Sequence, residues 1–160
     1  MKQMKKWIWI SGALLLFVIG YTVKVYVTAI SPLKDAEEKA VEIAKKEASI
    51  VSVDEFSIYN GSKTYYVVSG KNDEGIDSIV WVPEDGGKPV IKKKKEGISK
   101  EEAIKKLLEQ KEPEEIVHVK LGVENNIPLW EIYYRSNDDL INYYYVDFES
   151  GEWLKDIQNL

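Results

Sequence analysis

Leu129-Trp130-Glu131-Ile132-Tyr133-Tyr134-Arg135, then Tyr143-Tyr144-Tyr145-Val146-Asp147-Phe148-Glu149-Ser150-Gly151-Glu152-Trp153, are the runs that decide the fold. Aromatic and β-branched residues fill both, and Asp147–Gly151 has turn composition, so strand, strand, turn and a short final strand are expected. The same pattern stands 64 residues upstream. At that offset Tyr66 falls on Trp130, Val68 on Ile132 and Lys71 on Arg135. Ile79-Val80-Trp81-Val82 falls on Tyr143-Tyr144-Tyr145-Val146, and Gly87 on Gly151. Such internal self-similarity is the mark of a duplicated unit.

Working outward, a helical pattern precedes each set of strands. Leu33–Ala48 carries Ala36, Ala40, Ile43 and Ala44 on one face. Ser99-Lys100-Glu101-Glu102 is a capping box ahead of Ala103, Ile104, Leu107 and Leu108. Strands are expected at about 53–59, 64–69, 78–82 and 89–93, and again at 115–123, 129–135, 142–148 and 153–157, with Asn60-Gly61 as a hairpin turn. The reading is α+β: two tandem modules over 31–96 and 97–160, each one helix on an antiparallel sheet. Tyr66, Val68, Trp130 and Ile132 form the face expected to meet the helices. The opposite face pairs Val67 with Glu131, Ser69 with Tyr133 and Lys71 with Arg135, and reads as mixed and wet. The third strand of each set is apolar on both sides and reads as central.

Before the modules, Trp7 to Val23 carries no charge, and a helix continued to Val27 spans roughly 31 Å, the thickness of a hydrocarbon core. Lys24 snorkels near its end, and Trp7, Trp9, Tyr21 and Tyr26 stand where aromatic belts belong. Lys2, Lys5 and Lys6 keep residues 1–6 cytoplasmic, which makes 7–27 a single-pass signal anchor and the rest extracellular. The rival is a cleaved signal peptide with Val27-Thr28-Ala29 at the cut. With the anchor retained, only Thr28–Leu33 separates membrane from module.

Net charge is −5, but Lys2, Lys5, Lys6 and Lys24 precede every other charged residue. The remainder has 18 basic against 27 acidic residues, a balance of −9 that excludes a nucleic-acid partner. Cysteine is absent, which excludes disulfides, thiol nucleophiles and thiolate metal sites.

His118 is the only histidine and lies on an expected strand without the partners that a metal or base would need. The carboxylate pairs Asp138-Asp139, Glu84-Asp85 and Glu149 with Glu152 all fall in expected turns, where solvation explains them. The Lys92–Lys95 run reads as a solvated strand end, or as a contact for an acidic polymer or partner. No catalytic, cofactor or metal residue is assigned. The aromatic density of the second module is the stronger lead. Tyr133 shares the mixed face with Glu131 and Arg135, and these residues, with Tyr144 and Phe148, form the candidate protein-binding set, since Tyr, Trp and Arg dominate interface energetics.

The run Leu129–Arg135 followed by Tyr143–Trp153 and its Val-Asp-x-x-Ser-Gly turn resembles the PepSY domain over about 97–157. The first copy departs from it, with Pro83 in place of Asp147 and Gly86 in place of Ser150. The whole arrangement resembles the TseB-like (YpmB-type) proteins of Gram-positive bacteria. That resemblance implies cystatin-like modules and a non-catalytic regulator of cell-wall elongation. It also implies work with a membrane-anchored penicillin-binding transpeptidase, without a cofactor. A peptidase inhibitor or chaperone-like module is the alternative, and a carboxylate-based wall hydrolase a distant third.

Overall fold

The computed structural model describes residues 2–136 and 140–158, apart from the side chains at 2–11, 13, 27, 29 and 30. Asp138 and Asp139 therefore lie outside the described residues, as do the side chains of Trp7, Trp9, Lys2, Lys5 and Lys6. The chain divides into two units, Met1–Glu38 and Lys39–Leu160.

Helix α1 runs Lys2–Ala48. Residues 28–33, expected as a link between two helices, are themselves helical, with Pro32 inside. Pro32 forgoes one hydrogen bond, but Thr28 and Pro32 are both exposed, so solvent can take the freed carbonyl. In the first unit Leu14–Ile19, Tyr21, Val23, Val25 and Tyr26 are all exposed apolar side chains. Thr22 turns its hydroxyl inward, donating to the carbonyls of Val18 and Ile19 at 3.0 and 2.9 Å. A polar group that satisfies itself within an apolar helix suits hydrocarbon. The helix is long and apolar enough to cross a membrane.

The second unit holds two four-stranded antiparallel sheets. The first is β1 (Ile50–Asn60), β2 (Thr64–Asn72), β3 (Asp77–Pro83) and β4 (Val90–Lys93), side by side in that order. A 3-10 turn, Lys94–Glu96, leads to α2 (Lys100–Leu108). The second sheet is β5 (Glu115–Glu124), β6 (Ile127–Arg135), β7 (Ile141–Asp147) and β8 (Trp153–Ile157), again in order. β3 and β7 are interior strands, as their apolar composition requires.

The capping box forms as read: Ser99 Oγ accepts from Glu102 N at 3.1 Å, and Glu102 Oε2 accepts from Ser99 N at 2.7 Å. Asn125 and Asn126 both have positive φ, 51° and 65°, giving the two-residue turn that best matches strand twist. The β2–β3 pairs Tyr66–Val82, Val68–Val80 and Gly70–Ser78 recur, 64 residues on, as Trp130–Val146, Ile132–Tyr144 and Tyr134–Asn142.

Two cores result. Ala40 and Ala44 of α1 pack on Val68, Val80 and Val82, with Tyr66 and Phe56 at the margin. Ala103 and Leu107 of α2 cover Trp130, Ile132, Tyr144 and Val146 in a larger core. The helix-facing residues are those expected. The other face of the first sheet is a correction: Tyr65, Val67, Ile79 and Trp81 are buried in the larger core with side chains of the second sheet. Alternation along one strand marks that face as wet, because it cannot reveal a second sheet lying against it.

Candidate protein-binding face and family

In-register pairing sets two rows of side chains across the outer face of the second sheet. His118, Tyr133, Tyr143 and Ile157 form one, and Lys120, Glu131, Tyr145 and Lys155 the other. The first row is an aromatic ladder. His118 stacks on Tyr133 at 4.8 Å between ring centroids, and Tyr133 meets Tyr143 at 5.2 Å. All three are half-buried, so each keeps open surface. In the second row Lys155 Nζ lies 4.4 Å from the centre of the Tyr145 ring, a cation–π contact.

Glu131 is only 8 % exposed and accepts from Tyr145 Oη at 3.0 Å. Burial raises its carboxyl pKa. Burial lowers the pKa of His118, and Lys120 adds to the effect, so the approach of Glu131 Oε1 to His118 Nε2 at 3.8 Å involves a neutral imidazole at pH 7. A carboxyl with a raised folded pKa favours the fold below its unfolded pKa and loses that advantage as pH rises through the folded value. Glu131→Gln keeps an acceptor for Tyr145 and removes the buried charge. It should therefore raise the melting temperature at pH 7, and the gain should vanish near pH 3 in thermal unfolding.

Tyr59 arrives from the first sheet and covers one end of this face. Its hydroxyl donates to Glu124 Oε1 at 3.0 Å, and Ser62 N donates to the same oxygen at 3.0 Å. Burial opposes charge on Glu124, but the bonds from Ser62 and Tyr59 outweigh it and hold its carboxyl below the usual range.

Among the candidate residues, Tyr133 and Arg135 remain at the surface, Arg135 with Glu115 at 3.6 Å, whereas Glu131 is buried and bonded to Tyr145. Tyr144 and Phe148 are corrections. Tyr144 is 0 % exposed beneath α2, and Phe148, 1 % exposed, lies edge-on to Trp81 at 5.6 Å. Neither presents a ring to a partner. His118, Tyr143 and Lys155 were missed as site members, although their cross-strand positions follow from register.

Several of the turn carboxylates, and Lys92 of the lysine run, have local partners. Asp85 pairs with Lys63 at 2.8 Å, Glu84 accepts from Tyr66 Oη at 2.8 Å, and Glu149 pairs with Lys92 at 2.6 Å. Asp147 Oδ1 accepts from Glu149 N, Ser150 N and Ser150 Oγ, closing the turn that Gly151 completes at φ 69°.

Residues 39–83 match the cell wall elongation regulator TseB-like domain, and residues 97–157 the peptidase propeptide and YPEB domain, PepSY. The YpmB protein from Bacillus subtilis has a similar solved structure, with a TM-score of 0.72 and 37% identity over 76% of this chain and 95% of that one. The probable cell wall elongation regulator TseB of Bacillus subtilis (strain 168) is 34% identical over 149 residues, 92% of either chain. Similarity of that extent, together with the matching domain over 39–83, places the chain in a family: it belongs to the TseB-like family of cell wall elongation regulators.

Proposed function

We propose that this chain is a non-catalytic, single-pass regulator of cell-wall elongation. Its N-terminus is cytoplasmic, and its Lys39–Leu160 unit works outside the membrane by holding a penicillin-binding transpeptidase. The relative named as a wall elongation regulator supports the role, and the apolar helix supports the anchor. The observation that carries the binding mode is the half-open ladder of His118, Tyr133 and Tyr143, with Arg135 at its margin. Rigid aromatic rings offer large contact area at low entropic cost, and Arg adds directed donors. The shared register at an offset of 64 supports reading the two helix-and-sheet halves as diverged copies of one module, at about 31–96 and 97–160.

The test is co-purification of the full-length chain from solubilised membranes. A Tyr133→Ala, Arg135→Ala double variant should retain the fold and recover about tenfold less transpeptidase, the loss of a modest hot spot. Equal recovery would remove this face from the binding role. The match to a peptidase propeptide domain favours one second reading, a peptidase inhibitor. Slowing of an extracytoplasmic protease by the purified chain would support it.

A further inference from the structure

Between the two sheets runs a groove whose lining has an unusual order. One cavity of about 350 Å³ is lined by Val117, His118, Val119, Lys120 and Leu121 in succession. Val117 lies at a β-bulge, but His118–Leu121 pair in regular register and alternate between faces, so these four line one cavity only when it looks at the strand edge-on. β5 is the edge strand of its sheet. Glu124 and Ile127 flank the Asn125-Asn126 turn and form its closing hydrogen-bonded pair. Ladder alternation makes Gly122–Leu129 and Lys120–Glu131 hydrogen-bonded pairs too, which turns the N–H and C=O of Val119 and Leu121 away from β6. Pro128, opposite Val123, fits the same count: its carbonyl faces β7 and accepts from Phe148 N at 2.9 Å. Among the described residues, no backbone hydrogen bond from another element reaches Val117–Leu121.

The opposite wall is the first sheet, where the cross-strand pairs Glu55–Ser69 and Ser57–Val67 face the groove. The sheets close against each other at Gly122, where the Tyr59 ring lies on the backbone. Toward Val117 they leave space. A bare edge normally invites aggregation. Here the first sheet shields it while keeping a cavity of ligand-site size.

We propose that the β5 edge is a strand-addition site: an extended polypeptide segment of a partner protein lies in this groove as a fifth strand of the second sheet. Backbone bonds to Val119 and Leu121 would hold it, as in other strand-addition complexes. Val67, Leu121 and Trp130 offer an apolar seat for one of its side chains. The charges of the groove there are Lys100 and Lys120 against Glu55, which suits an acidic residue in the segment. The inference rests on the reading that the chain binds a protein, and it places part of that partner beside the Tyr133 face, since β5 borders both.

The chain has no cysteine, so Ser69→Cys carries a unique thiol for a photo-crosslinker inside the groove. A photoreactive aromatic residue at position 133 reports the outer face in parallel, both in the full-length protein in intact cells. Capture of one partner from both positions, the groove product mapping to an extended acidic segment, is the expected result. Val119→Pro removes an outward N–H and spares the β6 ladder, as edge prolines do, and should cut groove capture about tenfold, one lost charge-free contact network of ~1.4 kcal/mol or more. Ser57→Trp, which fills the groove from the opposite wall, should do the same if the proline variant fails to fold. Capture from position 133 alone overturns the groove site and leaves the face. Capture only of a second copy of this chain, or capture unaffected by both variants, also overturns it. Silence at both positions overturns the protein-binding reading itself.

Discussion

Trp81→Ala is expected to destabilise the whole Lys39–Leu160 unit by about 3–5 kcal/mol, the range for truncating a buried aromatic. Trp81 lies on interior strand β3, is 0 % exposed and meets the Phe148 ring edge-on. It belongs to the core that also contains Leu129, Ile132 and Val146 of the second sheet. Its loss should therefore be felt in both sheets. Thermal unfolding followed by circular dichroism and by aromatic fluorescence should show one transition, lowered by on the order of 10–20 °C. Two separated transitions, with the second sheet unmoved, would mean that the sheets are independent. The indole N–H of Trp81 is buried without a hydrogen-bond partner among the described residues. Trp81→Phe, which deletes that unpaired donor and keeps a ring, should cost distinctly less than Trp81→Ala.

Gly122→Ala should destabilise by about 1–3 kcal/mol, the usual cost of overpacking. The sign is what makes it informative. Replacing a strand glycine with alanine ordinarily stabilises by roughly 0.5–1 kcal/mol. At Gly122 a Cβ would come within 2.6 Å of Tyr59 Cζ and nearer still to the ring edge. Tyr59 has little room to yield, being 1 % exposed and tied through its hydroxyl to Glu124. In a Tyr59→Ala background the penalty should disappear, giving a coupling energy in chemical unfolding of about the size of the single-variant loss. Equal costs in both backgrounds would place the strain elsewhere.

Most of the local structure was legible because it follows from periodicity and cap chemistry. Ser99 and Glu102 name a helix start, and the apolar runs around Val80 and Tyr144 name interior strands. The offset of 64 reproduces the register of the two central pairs. The packing of one sheet on the other was not legible. Val67 and Ser69 look like a solvent face, and only three-dimensional placement shows Val67 buried. Tyr144 was recoverable: it aligns with Val80 and pairs with Ile132, both helix-facing, so its register already assigned it to the core. Phe148 was not, since its partner Trp81 comes from the other sheet. The paired positive-φ asparagines, Asn125 and Asn126, carried a turn signal that the Asn60-Gly61 reading overshadowed. From that turn the free groups of β5 can be counted.

The binding role is tested most directly by photo-crosslinking from position 133 of the full-length chain in growing cells, with the captured proteins identified by mass. A membrane-anchored wall-synthesis transpeptidase among them is the expected result. A folded, membrane-inserted chain that captures no wall-synthesis protein would contradict it.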